Sequence, residues 1–270
     1  MKYKALSIAG FDGSGGAGLQ ADLKTFGALG CYGMTVLTAL PIQNTCGVRN
    51  CYQIPISAIE EQLEAIFDDI TPDAIKIGML FSSDIIKLVA NFLQSKAKNI
   101  PIVLDPVMVA KSVDRLLQED AISALRQDLL PLATIVTPNI PEANCLLNLN
   151  KDLQTEEFAV LADKILKLGP KSVLIKGGHL NGVDSNDLLL TQDGISEYFV
   201  AKRIETKNSH GTGCTLSAAI TSYLAKSFDL ITSCKKAKEY LTAALLSAKN
   251  LSVGKGHGPV NHFYQTSETD

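Results

Sequence analysis

The feature that most constrains this chain is an alternation: short apolar runs rich in β-branched residues are followed, repeatedly, by longer segments whose apolar residues recur at helical spacing. A strand is expected over 4–9, then a Gly/Ser loop over 10–16 and a helix over 19–29. The run 33–40, with Thr35, Val36 and Thr38, and a second extended piece reaching Ile54 flank a turn at 44–47 and predict a protruding hairpin. Ser57 is placed to cap the next helix, Glu60 three residues on completes a capping box, and Ile59, Leu63, Ile66 and Ile70 form the apolar stripe. Strands follow at 74–77, 101–104, 134–137 and 172–176, separated by helices at 84–94, 119–128, 141–148 and 156–168. Residues 187–191 and 195–200 flank Gln192-Asp193-Gly194 as an antiparallel hairpin, and the last third reads as two helices, 213–226 and 233–251. This pattern predicts an α/β fold with a mainly parallel central sheet covered by helices on both faces, and places ligands at the carboxyl ends of its strands.

Composition narrows the partners. The 270 residues are 46% hydrophobic and 20% charged, which excludes a disordered chain. No internal repeat or linker divides them, so one domain over 1–270 is expected, with residues 265–270 a frayed tail. Twenty-five basic against twenty-eight acidic residues give a net charge of −3, with no basic field to gather nucleic acid; a small ligand fits better. Six cysteines, at 31, 46, 51, 145, 214 and 234, form no Cys-x-x-Cys pair, so reduced thiols and a cytoplasmic location are expected. No apolar run approaches the ~18 residues of a membrane span, and the N-terminal one stops at Ala9, which argues against secretion and membrane insertion.

Five clusters fall where the topology puts a ligand. Gly10 to Gly18 follow the first strand, and their bare backbone can approach a ligand closely. They lack the Lys-Ser/Thr of a phosphate loop, since Leu19-Gln20 stands there, and a loop needed only for tight packing has the same composition. Asp105 closes another strand ahead of Pro106, a position that suits a metal or a polarised hydroxyl but also starts turns. Asn139 and Glu142, three apart at a helix start, point toward one ion; an acid in the first turn also complements the positive helix end. Lys176 ends a further strand beside Gly177-Gly178, where a solvated lysine is the alternative. Finally, Asn208 to Cys214 open an apolar helix, where the amides of Gly211 to Cys214 form an anion hole able to stabilise phosphoryl charge. Cys214 in that first turn is expected to have a lowered pKa and to accept a proton from a substrate hydroxyl; packing as a small hydrophobe is the other use of such a thiol. His210 serves equally as a surface histidine, and histidines at 179, 210, 257 and 262 with no cysteine in ligand spacing argue against a structural zinc site.

Together the clusters resemble the ribokinase superfamily, through Asn-x-x-Glu at 139–142, the strand-end Lys176 and the glycines at 211 and 213. Within it the chain is more closely similar to the hydroxymethylpyrimidine and phosphomethylpyrimidine kinases of thiamine biosynthesis. The shared strings are Ser14 to Asp22, Thr38-Ala39 with Gln43-Asn44-Thr45, Lys76 to Leu80, Asp105 to Met108, Lys176 to His179, His210 to Cys214 and Gly256 to His262. The resemblance implies a three-layer ribokinase-like fold with a small β extension, and ATP-dependent phosphorylation of the pyrimidine and of its monophosphate. It implies that Gly10, Gln43, Met79 and Val107 contact the pyrimidine, with Gln43 bonding ring nitrogen and amine. Cys214 stands where sugar kinases of the superfamily use an aspartate base, beside the Gly211 and Gly213 amides. Asn139, Lys176, His210, Gly211, Thr212 and Gly213 are implied at ATP, and Glu142 with Asp105 at Mg²⁺. Gly13 and Pro41-Ile42 depart from the usual pattern around the substrate pocket. Pyridoxal kinase is the nearest rival, with Ala110 in place of a second thiol tilting toward the pyrimidine; a non-catalytic metabolite sensor would have lost Lys176 or the anion-hole glycines, which are present. The apolar hairpin near 33–54 predicts a homodimer.

Overall fold

A computed structural model describes residues 2–108, 119–149, 157–179 and 182–266. Strands and helices alternate as β1 (Lys4–Ala9), α1 (Gly18–Ala28), β2 (Tyr32–Leu37), the hairpin β3 (Ala39–Asn44) and β4 (Gly47–Gln53), α2 (Ile56–Asp69), β5 (Ala74–Ile77), α3 (Ser83–Lys96), β6 (Ile102–Leu104) and α4 (Glu119–Ala124). They continue as β7 (Ile135–Val136), α5 (Ile140–Leu147), α6 (Phe158–Leu166), β8 (Ser172–Lys176), β9 (Asp187–Thr191), β10 (Ser196–Phe199), α7 (Thr212–Ala225) and α8 (Leu230–Ser247). One eight-stranded sheet runs in the order β10-β9-β8-β7-β6-β5-β1-β2. Its members from β2 to β8 pair in parallel, and β9 and β10 antiparallel, as the alternation predicted.

The pleat sorts the sheet's side chains between two cores. Leu6, Ile8, Ile75, Ile77, Leu104 and Ile175 pack with residues of α2 to α6. Their neighbours Ala5, Ala74, Val103, Ile135, Leu174 and Leu189 pack with α1, α7 and α8. The same parity puts Ser7 and Lys76, cross-strand partners on β1 and β5, on the α1/α7 face.

Several boundaries differ from expectation, four of them for identifiable local reasons. The run expected as one strand over 33–40 is divided at Thr38, whose amide donates to Ala9 O (3.0 Å) and whose hydroxyl donates to Met79 O (2.6 Å). The chain leaves the main sheet there, so only Ala39–Gln53 form the separate hairpin. Helix α2 begins before Ser57: Pro55 is its N-cap and accepts the amide of Ile59 (3.2 Å), so the box expected from Ser57 and Glu60 does not form. Helix α8 starts at Leu230 rather than 233, because Asp229 accepts the amide of Thr232 (2.9 Å). The helix expected over 119–128 loosens at Leu125 into a π turn, Leu125–Leu129. Ala110 and the tail 267–270 lie outside the described residues.

Candidate active site

Asp12, fully buried, organises the loop between β1 and α1. One oxygen accepts from the amide and hydroxyl of Ser14 (2.9 and 2.7 Å), and the other from the amides of Gly16 and Ala17 (3.1 and 2.7 Å) and from His210 Nε2 (2.8 Å). Burial works to raise its pKa; the bonds from His210, Ser14 and Ala17 overcome this and hold the carboxyl well below the usual range. Asp12 was not singled out in the sequence, although Asp-Gly-Ser-Gly is a turn signal that could have found it. The His210 ring, expected at ATP, is thereby engaged with the glycine loop.

Two glycines let that loop touch the 208–214 loop. Gly211, the N-cap of α7, has φ +77°, and a Cβ there would strike Gly16 O; a Cβ on Gly16 would strike the His210 ring. His210 is further held by its amide's bond to Gly258 O (3.0 Å). Gly211 offers no side-chain cap to the first amides of α7. Thr212 is the first residue of α7.

The expected substrate residues converge in part. Gly10 faces Met79, since a Cβ on it would lie 3.5 Å from Met79 Sδ, and Gln43 Nε2 donates to Phe11 O (3.4 Å) in the same loop. Val107 is placed by its amide's bond to Asp105 O (2.8 Å), and its described bonds do not join it to the other three.

Three adjacent parallel strands, β6, β7 and β8, deliver the polar centre from their carboxyl ends. Lys176 Nζ lies 2.8 Å from Asp105 Oδ1 and 3.6 Å from Glu142 Oε2, all three side chains being buried or nearly so. Thr137 Oγ1 also donates to Asp105 Oδ1 (3.2 Å), and Ser217 Oγ to Oδ2 (3.4 Å). Asn139 and Glu142 make a reciprocal capping box on α5: Asn139 Oδ1 accepts the Glu142 amide (2.9 Å) and Glu142 Oε2 the Asn139 amide (2.8 Å). Their spacing therefore first builds a helix start. Burial, together with the charge of Asp105, pushes Glu142 up to about 7 against the pull of Lys176. Burial opposes charge on Lys176 too, but Asp105 and Glu142 outweigh it and raise its pKa. A Cβ on Gly213 would lie 3.4 Å from both Lys176 Nζ and Asp105 Oδ2, so the α7 N-terminus meets this ion pair.

Cys214 corrects an expectation. It is partly accessible yet set deep among protein atoms, and burial pushes its thiol up to about 11 rather than down. Lys76 and the Gly18 amide, which donates to the sulfur, pull the other way, while Asp22 and Asp105 add to the rise. All six cysteines are free thiols. Among the described residues, no three His, Cys, Asp or Glu side chains gather to hold a metal by themselves, and no helix is long and apolar enough to cross a membrane.

A sheet of this order, carrying a lysine–carboxylate pair against a glycine-capped helix end, is the ribokinase-like kinase architecture, and solved structures bear that out. The Bacillus subtilis pyridoxal kinase, solved as an ADP complex, matches with a TM-score of 0.90 at 38% identity over 98% of this chain and 99% of its own. A phosphomethylpyrimidine kinase from Clostridium difficile matches with a TM-score of 0.79 at 43% identity, over 90% of this chain and 100% of its own. Residues 12–261 match the family model described as phosphomethylpyrimidine kinase, and the hydroxymethylpyrimidine/phosphomethylpyrimidine kinase of Salmonella typhimurium is 48% identical over 97% of this chain and 98% of its own. The chain belongs to the phosphomethylpyrimidine kinase family.

Proposed function

We propose that this chain transfers the γ-phosphoryl group of ATP to the hydroxymethyl oxygen of 4-amino-5-hydroxymethyl-2-methylpyrimidine, and then a second phosphoryl group to the monophosphate, in thiamine biosynthesis. The observation that carries the reading is the meeting of Lys176 with the N-terminus of α7 at Gly213, next to the loop that joins Gly10, Met79 and Gln43. Gly10, Gln43, Met79 and Val107 hold the ring; Asn139, Lys176 and the 210–213 segment hold the phosphates, with the His210 ring fixing the glycine loop rather than reaching the nucleotide. The hydroxymethyl oxygen attacks the γ-phosphorus as its bond to the β-bridging oxygen breaks, and ADP leaves. Cys214, as thiolate, takes the hydroxyl proton, while Lys176 and the α7 amides meet the charge on the transferring group.

A magnesium ion fits beside Glu142, a hard oxygen donor whose second oxygen is not used by the capping box, and when bound it would neutralise phosphate charge. Asp105 is taken by Lys176 and Thr137, so its role passes to orienting the lysine. Free thiols throughout support a cytoplasmic enzyme, and the exposed apolar face of the β3–β4 hairpin supports a homodimer.

Product mass after incubation with ATP and Mg²⁺ tests the reading against three acceptors: the pyrimidine, its monophosphate and pyridoxal. Phosphorylation of both pyrimidines is expected. The fold match to a pyridoxal kinase supports a second reading, in which pyridoxal alone is phosphorylated; that result would replace the first.

A further inference from the structure

Lys76 takes no part in the chemistry above, yet it is among the largest side chains sealed fully inside the protein. Its Nζ lies 2.8 Å from Asp22 Oδ2, and neither side chain has any exposed surface. The same oxygen accepts from Ser7 Oγ (2.5 Å), and Asp22 Oδ1 has no hydrogen-bond partner. A buried ion pair is costly to assemble and adds little stability over an apolar pair of the same volume, so its position needs a reason.

The pleat supplies one. Lys76 points from β5 toward α1 and α7, and Gly78 leaves room for it, since a Cβ there would lie 2.9 Å from Nζ. Helix α1 brings two groups to this place: Asp22, which holds the ammonium, and Gly18, whose amide donates to Cys214 Sγ. Helix α7 brings Cys214 itself. The charges that face the thiol are Lys76 from β5, Asp22 from α1, Asp105 from the end of β6 and Lys176 from the end of β8. Lys176 is already bound to Asp105 and shared with Glu142. Lys76 is the stronger of the influences favouring a charged sulfur, and among the described residues its ion-pair partner is Asp22.

We propose that Lys76, fixed by Asp22, is a positioning residue for the base: its sealed ammonium is the counter-charge beside which Cys214 carries its thiolate. The inference rests on the reading of Cys214 as base, but its test does not. The intact enzyme is alkylated with iodoacetamide across a range of pH, and modification is followed by the mass of the peptide containing Cys214, with exposed Cys46 as the internal reference. Lys76→Met should slow alkylation of Cys214 at least about tenfold at a given pH, the effect of losing one close opposite charge, while Cys46 is unchanged. The double variant Lys76→Met/Asp22→Asn strands no charge and so keeps the fold; it should also be slower than the wild type. If the pair serves packing only, either variant loosens the site and exposes the thiol, so alkylation speeds up or stays the same, and the proposal is overturned. Steady-state kinetics separate the two ideas: a normal kcat in Cys214→Ala removes the base reading, whereas an inactive Cys214→Ala with unaltered alkylation in both Lys76 variants removes only the role of Lys76.

Discussion

Cys214 is pulled two ways by one position. Lys76 and the Gly18 amide favour the thiolate, burial opposes it, and burial prevails, leaving the pKa at about 11. Since the base form is the thiolate, kcat should rise with pH across the neutral range. Cys214→Ala should lose about 10²–10⁴-fold in kcat and the pH dependence with it, with pyrimidine affinity little changed. Cys214→Asp should recover part of the rate with a flatter profile, because a carboxylate is already ionised there; kcat against pH for the three proteins decides, and a near-normal Cys214→Ala makes the thiol a packing residue. Lys176→Ala should lower kcat without changing which heterocycle is chosen if, as proposed, the ammonium serves the phosphates and not the ring, and competition between acceptors reads this directly. His262 gives a stability test. Burial holds it neutral with a pKa of about 4, and its Nε2 sits 3.2 Å from Thr215 Oγ1. The folded pKa lies below the unfolded value near 6.5, so the unfolded chain takes up the proton first and stability falls as pH drops from about 6.5 to 4, by ~2–3 kcal/mol. Thermal melts over that window should show the loss, and His262→Gln should flatten it. Residue types at the site were readable because strand ends and a helix start mark Asp105, Asn139, Lys176 and Gly211. The sign of the Cys214 shift was not, since it depends on how many atoms surround the sulfur and on Asp22, Lys76 and Asp105 arriving from other elements.

At the scale of elements, the two glycines of the proposed anion hole have different surroundings. Gly211 combines φ +77° with a contact against Gly16 O that leaves no space for a side chain, whereas a methyl on Gly213 would meet Lys176 and Asp105 at an ordinary 3.4 Å. Gly211→Ala should therefore lower both the melting temperature and the activity, and Gly213→Ala should fold normally but lose kcat or ATP affinity, its methyl standing where the phosphoryl group docks. Melting curves beside steady-state kinetics separate the two, and full activity in Gly213→Ala would place the anion elsewhere. The strands of the main sheet and the longer helices were legible, because the central strands, buried on both faces, are short continuous apolar runs and each helix buries one face that its apolar spacing records. Capping was less legible. The same Ser/Asn-x-x-Glu pattern occurs at Ser57 and Asn139, yet only Asn139 forms the box, because Pro55 starts α2 two residues before Ser57. The break at Thr38 left no local trace either, since its hydrogen bonds run to Ala9 and Met79, on neighbouring strands' ends.

At the scale of the whole molecule, the exposed face of the hairpin supports the proposed homodimer. Leu40 and Tyr52 are cross-strand partners in the hairpin and Ile42 follows on the same face, with Ile42 42% and Tyr52 56% exposed. Two strands alone make a sheet with both edges open, and such a hairpin is marginal in water unless something packs on it. Within the chain the hairpin is tied at its base, where Ala39 O accepts the amide of Phe11 (3.0 Å), at Gln43, and at its tip, where Thr45 O accepts the amide of His257 (2.9 Å) and Thr45 Oγ1 that of Gly256 (3.2 Å), and these bonds leave the face of Ile42 and Tyr52 open. A second copy can cover the apolar face and extend an open edge at once, through one self-complementary contact about a two-fold axis. Sedimentation at micromolar concentration should accordingly give a mass near twice that of one chain. Tyr52→Glu should shift the protein to the monomer, since a charge placed in the centre of an apolar contact must be desolvated without a partner, and it touches neither Lys176 nor Cys214. Any loss of pyrimidine affinity that accompanies the monomer would then report the hairpin's hold on Gln43, and a monomeric wild type would overturn the homodimer.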